Sequence, residues 1–535
     1  MKSSSQQGSR LDNGRVTGSF DALRQAAHRS LAAKDWPQVG RLAAELQFQF
    51  PGQPDGPDYA ALAEKAAGRS ESAFANFERA LSIAPFRFDI GIELAQHCLG
   101  LNRYDRAREL LQQYIPLAKS SPVYLDKAAQ VYFEMGMYED AQPLYDQALK
   151  LQPDVEIVQM HKAACLVFLG QLDEARAIYR TIIAAKPDHQ RAHFALSQLD
   201  RATDDAHVQQ MLNVARKNAS TPARNIYLYY ALGKEYEDLG MWDEAFGFYE
   251  RGGSAVKSVS SHDVSEDVEL IDSIVEACSA DWLRDNANDK ESDSTPVFVV
   301  GLPRTGTTLT ERIISSHSEV DSVGETQFLQ MVLRDGTRAG NGIGITVEQI
   351  RKATSRSPES IAESYMAAVQ HRLKGLPFFT EKYPENFLYL GFIVKAWPNA
   401  RIVQLRRHPM DACFAMFKQS YFRFAYTLDD LAEYYLAYDR LRRHWSNVLG
   451  SRIVEVSYEK LVGDQEQETR RLLQCLGLEF EEACLNFDTN RAPAATASAV
   501  QVREKIHSRS VEKWKKFETH LAPLLERLEE GGVEV

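Results

Sequence analysis

The stretch VFVVGLPRTGTTLTERIISSH (297–317) carries three structural signals in succession. VFVV is an unbroken apolar run, as a parallel strand buried on both faces requires. GLPRTG is a glycine-containing turn, and LTERIISSH has the periodicity of a helix. A turn from buried strand into helix exposes several backbone N–H groups at the helix N-terminus, which makes an anion site. The G-x-x-x-x-G spacing from Gly301 to Gly306 fits a phosphate-cradling loop. Where an ATP-binding loop needs lysine next, this chain has Thr307, so nothing here reaches β- and γ-phosphates, and a kinase or ATPase is disfavoured. Arg304 and the hydroxyls of Thr305, Thr307 and Thr308 remain to hold a terminal phosphate.

Downstream, PFFT (377–380), ARIVQL (400–405) and RIVEVSY (452–458) read as further strands with helices between them. This alternation from 296 to 535 predicts an α/β domain, a P-loop-like parallel sheet with helices on both faces. A short strand, DSV (321–323), is expected to pair beside the first and to bring Glu325 back to the edge that carries the loop. Upstream, GGSAVKSVSSHDVSEDVE (252–269) is Ser/Gly-rich and polar, and NANDKESDSTP (286–296) is charged and ends in proline. ELIDSIVEACSADWL (269–283) between them reads as one amphipathic helix with Ile271, Ile274, Val275, Cys278 and Trp282 on a single face. Residues 253–295 are therefore expected to be a linker containing one helix.

Residues 17–252 have a different character. Ala73, Ala107, Ala141 and Ala175 recur every 34 residues, with Val39 one period earlier. Pro51, Pro85, Pro153 and Pro187 keep the register, broken only by Lys119, and Phe77, Leu111, Tyr145 and Tyr179 follow the alanines by four. Turns precede them in LGLNRYDRA, MGMYEDA and LGQLDEA; LGMWDEAFGFY, with Ala245, comes 70 residues after Ala175, which leaves one irregular unit between. The period and its residues resemble the tetratricopeptide repeat, which implies an α-helical solenoid that binds a protein or peptide partner. The repeat says nothing about chemistry.

VGLPRTGTTL (300–309) resembles the 5′-phosphosulfate loop of sulfotransferases that use 3′-phosphoadenosine-5′-phosphosulfate (PAPS), nearest the protein-tyrosine sulfotransferase branch. That resemblance implies roles for individual residues. Arg304, Thr305, Gly306, Thr307 and Thr308 would bind the cofactor. Glu325, in VGE (323–325) and 21 residues after Arg304, would be the catalytic base. Lys382, in TEKYPEN (380–386), would stand over the bridging oxygen and offset charge on the leaving phosphate. VQLRRHPMDACFAMF (403–417) is similar to the 3′-phosphate motif and gives Arg407 as a ligand with Arg406 as its neighbour; His408 and Ala415 depart from the family's aspartate and serine. Tyr458 in VSYEKLV, and Ser498, Arg503 and Lys513 in TASAVQVREKIHSRSVEKW (496–514), complete the implied cofactor set.

The implied function is sulfuryl transfer from PAPS to a hydroxyl acceptor, with no metal needed because a sulfuryl group carries one negative charge. Tyrosine in a peptide, a saccharide hydroxyl and a lipid headgroup all fit a glutamate base, and the resemblance tilts towards protein tyrosine or a glycan. A tetratricopeptide adaptor with a degenerate sulfotransferase domain is the alternative, supported by His408 and Ala415; a P-loop kinase is opposed by Thr307. The composition agrees with a globular, multi-domain protein: 535 residues, 44% hydrophobic and 25% charged. With 74 acidic against 62 basic residues, a general nucleic-acid binder is disfavoured. No apolar run is long enough for a membrane span, the polar N-terminus does not read as a secretory signal, and six cysteines without a CxxC pair point to a reduced, cytoplasmic protein. RDGTRAGNGIGIT (334–346), with four glycines, is expected to be a loop that could close over the acceptor.

Overall fold

The computed structural model describes residues 10–12, 15–285, 287–288, 292–334, 344–490, 492–493, 496 and 500–535. The chain divides into two compact units, Met1–Cys165 and Leu166–Val535.

The second unit is built on five parallel strands: β1 (Thr295–Val300), β2 (Val320–Gly324), β3 (Phe378–Glu381), β4 (Arg401–Arg406) and β5 (Ile453–Ser457). Their order is β2-β3-β1-β4-β5. The strand expected beside β1 is therefore one place further out: β2 pairs with β3, and β3 lies between it and β1. The pairing is still parallel, so the residues after β2 do return to the same edge.

Alternate residues of β1 serve two cores. Val297 and Val299 pack with Ile313, Ile314, Leu461, Leu472 and Leu473 on one face. Phe298 meets Tyr365 and Trp397 on the other, with ring centroids 6.1 and 5.6 Å away. Both faces are covered by helices, which is why the strand is apolar throughout. From β1 the chain crosses to the outer strand β2 and returns to β3, then passes to β4 and β5 on the other side of β1. That reversal leaves a crevice at the carboxyl ends of β1, β3 and β4, where ligands bind in open α/β sheets.

The Ser/Gly-rich stretch at 252 does not open a linker. It is the end of helix Trp242–Lys257. Its glycines serve close packing: a Cβ at Gly252 would stand 2.9 Å from the Tyr230 ring, and one at Gly253 would overlap the Tyr426 carbonyl. The amphipathic helix follows as Val264–Ala277, then a shorter one at Ala280–Arg284. Residues Asp272 and Cys278 of this segment bond to Arg440 and His444 of the long helix Leu428–Leu449 at 2.8 and 3.0 Å. Among the described residues, no helix is long and apolar enough to cross a membrane.

The first unit is a row of helix pairs. Ala73, Ala107 and Ala141 are fully buried, each early in the second helix of its pair (Ser70–Ile83, Tyr104–Ala118 and Tyr138–Leu151). A left-handed residue precedes each of these helices, and the series runs Lys34, Gly68, Asn102, Gly136 and, into the second unit, Gly170, all with φ between 56° and 78°. The 34-residue period is thus a period of backbone conformation as well as of side-chain size. Gly91 lies inside helix Phe88–Gly100, where a Cβ would overlap the ring of Tyr114. Tyr114 is itself buried and cannot retreat. Gly91→Ala should lower the stability of this unit by about 1–3 kcal/mol, the usual result of overpacking, although alanine is the better helix former. Thermal unfolding of the variant, showing a lower midpoint rather than a higher one, checks this.

Candidate active site

The loop after β1 turns through three residues of positive φ, Gly301 (146°), Arg304 (67°) and Gly306 (98°). A Cβ at Gly306 would come within 2.6 Å of the Tyr458 ring, so the position excludes a side chain on contact as well as on conformation. Gly306 caps the helix Thr307–Ile314 with no side-chain hydrogen bond, which leaves the first-turn N–H groups for an anion. Beyond them opens a cavity of about 860 Å³, a size that suits a nucleotide. Arg304, Gly306, Thr307 and Thr308 line it. Thr305 does not, because its hydroxyl turns into the loop and donates to the Leu302 carbonyl at 2.7 Å.

Glu325 follows β2 and Lys382 follows β3, so the adjacent parallel strands set the two side by side, and they form an ion pair in the cavity. Lys382 is buried; burial, helped by the like charge of Arg304, pushes its ammonium down to about 7. The carboxylates of Glu311 and, in direct contact, Glu325 pull the other way. Glu381, one residue earlier, does not line the cavity. It accepts hydrogen bonds from Thr326 (2.6 Å) and Tyr365, and burial raises its carboxyl to about 7. The alternation along β3 therefore gives the cavity a cation and its other side a carboxyl.

Arg407 follows β4. It donates to the Arg304 carbonyl at 2.8 Å and to the Ser510 carbonyl at 2.5 Å, and its guanidinium lies 4.8 Å from the centre of the Tyr458 ring. Its Nε is buried with no partner among the described residues, and burial lowers its pKa from the usual arginine value. A buried cation with a spare donor on a cavity wall is a site for an anion. Lys513 also lines the cavity, paired with Glu237, which Lys418 contacts through both oxygens at 3.0 Å. Arg503 is placed elsewhere: it donates to the Phe168 carbonyl at 2.9 Å and packs on Gly170. Ser498 and most of the expected loop over the acceptor (335–343) lie outside the described residues. Among the described residues, no group of three or more His, Cys, Asp or Glu could hold a metal ion.

Residues 296–482 match the sulfotransferase family, and 64–131 and 132–199 match the tetratricopeptide repeat. The sheet domain is a sulfotransferase domain. An uncharacterized protein of Aquifex aeolicus is 27% identical over 420 residues, 77% of this chain; the match spans 55% of that relative, little more than half its length. Protein-tyrosine sulfotransferase 1 of Danio rerio is 23% identical over 239 residues, covering 41% of this chain and 65% of its own. Among solved structures, the sulfotransferase domain of the Synechococcus PCC 7002 olefin synthase has a TM-score of 0.32 at 18% identity, over 46% of this chain and 98% of that one.

In this sulfotransferase domain the two departures from the family motif have different fates. His408 stacks on Trp514, with centroids 5.6 Å apart, so its ring is used in packing, and its backbone N–H donates to Glu459 at 2.8 Å. Ala415 lines the cavity and offers no hydroxyl. Asp411, Lys418 and Glu237 were not singled out by the sequence. Asp411 sits in the R-R-x-P-x-D pattern and could have been; Glu237 lies in an irregular part of the repeats and has no local signal. Asp411 accepts the backbone N–H groups of Glu512 (2.7 Å) and Trp514 (3.0 Å), which fastens the segment carrying Lys513 to the helix after Arg407. Asp411→Ala should cost about 1.5–3 kcal/mol per charged bond lost and loosen Lys513. Chemical denaturation, together with faster proteolysis in 500–516, checks this.

Proposed function

We propose that the protein transfers a sulfuryl group from PAPS to a hydroxyl acceptor. The observation that carries the reading is the Glu325–Lys382 ion pair standing in the same cavity as the loop 304–308 and Arg407. The cationic wall, the unpartnered Nε of Arg407 and the side-chain-free face of Gly306 fit a doubly phosphorylated nucleotide. The loop amides, Arg304, Thr307 and Thr308 would take the 5′-phosphosulfate, and Arg407, Tyr458 and Lys513 the 3′-phosphate. Arg503 and Thr305 are left out of this set on their placement. Bound there, the donor supplies the sulfuryl group.

Glu325 takes the proton from the acceptor hydroxyl as its oxygen bonds to sulfur. Lys382 offsets the charge left on the bridging oxygen as the sulfur–oxygen bond to phosphate breaks. The products are a sulfate ester and adenosine 3′,5′-bisphosphate. Likeness to a protein-tyrosine sulfotransferase supports tyrosine in a peptide as the acceptor, and the repeats would be the surface on which a protein partner docks. The free cysteines, five of six buried, are compatible with a cytoplasmic setting.

Glu325→Gln keeps size and hydrogen bonding but removes the base. Adenosine 3′,5′-bisphosphate should bind this variant about as it binds the wild type in isothermal titration, while radiolabelled sulfate transfer falls by about 10²–10⁴. Wild-type turnover in the variant would reject Glu325 as base, and no binding of the bisphosphate by the wild type would reject the donor.

The Lys382 ammonium is the form that works, and burial depresses its pKa, so activity is present below that pKa and lost above it. kcat/KM should fall as pH rises through a value below the ordinary lysine range, because burial lowers the ammonium's pKa. The limb in kcat should lie higher, because donor phosphates beside the ammonium favour its charge. In Lys382→Arg, residual activity should lack this limb, which pH–rate profiles of both proteins check.

A further inference from the structure

Helices Ile226–Asp238 and Trp242–Lys257 form the last repeat hairpin, and five of its residues, Tyr230, Lys234, Glu237, Asp238 and Tyr249, line the cofactor cavity. Glu237 is buried there; it pairs with Lys513 and Lys418, and the Tyr249 hydroxyl donates to its Oε2 at 3.0 Å. Burial alone would raise this carboxyl, but the two lysines overcome it and hold it at about 2. Burial pushes Lys418 down to about 8, with Glu237 pulling up and Lys513 pushing down. Lys418 ends the helix Pro409–Phe417 one turn beyond Ala415, and Lys513 lies between the two residues that Asp411 fastens to the same helix.

Two ammonium groups this close repel each other and would part without a shared counter-ion. Each has three donors and spends one or two on Glu237, so each keeps a donor for a second anion. Lys418 and Lys513 carry two positive charges against one negative on Glu237, and Arg304 adds its like charge to Lys418, so the group keeps a net positive charge for an anion such as a phosphate monoester.

Resting on the sulfotransferase reading above, we propose that Glu237, from the repeat hairpin, is a positioning residue of the cofactor site. It holds Lys418 and Lys513 together to receive the 3′-phosphate, and Lys418 supplies at this spot the bond that Ala415 cannot. The final repeat hairpin is then a wall of the cofactor site as well as the end of a helical array.

Titration of the full chain with adenosine 3′,5′-bisphosphate and with adenosine 5′-monophosphate tests this, because only the first carries the 3′-phosphate. Wild type should prefer the bisphosphate. Lys418→Met and Glu237→Gln should each lose about ten- to a hundred-fold on the bisphosphate and nothing on the monophosphate, and Glu237→Asp should recover part of the loss. Equal or tighter bisphosphate binding by Glu237→Gln overturns the role, since the carboxylate would then be a bystander or a competitor. If Glu237→Gln does not fold, Lys418→Met decides: an unchanged preference for the bisphosphate overturns it. A wild type that binds the bisphosphate but shows no preference for it overturns the role alone; a wild type that binds neither ligand overturns the sulfotransferase reading as well.

Discussion

The guanidinium of Arg407 donates to the carbonyls of Arg304 and Ser510 and lies over the ring of Tyr458, so a single side chain joins the loop after β1, the ends of β4 and β5, and the C-terminal segment. Arginine suits this place because its donors spread in a plane while its face can rest on an aromatic ring. Burying that charge is costly unless it is fully bonded, and one nitrogen remains unbonded. The loop after β1, the start of the segment after β5 and the C-terminal segment are thus tied to a cation that is itself incompletely satisfied.

Around this centre, the electrostatics are arranged in paired sets. Lys382 has Glu325, and Lys418 with Lys513 has Glu237. Each pair keeps a lysine at a cavity wall that would otherwise be too dry for it. A cavity with unmatched cations would repel its own side chains; one with fully matched cations would have nothing left for a ligand. Ammonium groups with more donors than their carboxylate partners use lie between these limits.

Close backbone approach recurs as a second constraint. Gly306 lets the loop pass the Tyr458 ring, and Gly252 and Gly253 let a repeat helix pack against Tyr230 and the Tyr426 carbonyl. The first belongs to the sheet domain and the others to the hairpin that supplies Glu237. In each case the missing Cβ is what lets neighbouring segments pack closely.

The strands, the loop helix, the repeat period and the cavity positions of Glu325, Lys382, Arg407, Tyr458 and Lys513 were legible in the sequence. The strands, the loop helix and the repeat rest on local rules, apolar runs for buried strands and small residues where helices touch, whereas the five site positions were expectations that came from the resemblance to sulfotransferases. These rules act within one element or between fixed spacings, so a linear reading captures them. The neighbour of β2, the helical nature of the stretch at 252, the outward turn of Arg503 and the inward turn of the Thr305 hydroxyl were decided by the tertiary structure. Strand order depends on crossovers of dozens of residues, and a glycine pair reads as a linker until the ring and carbonyl that need the space are in view. Glu237 is the clearest case. It meets Lys418 across 181 residues and Lys513 across 276, and no spacing, motif or period connects them. Only folding brings their charges within hydrogen-bond reach, and only then does a carboxylate of helix Ile226–Asp238 become part of the cavity wall.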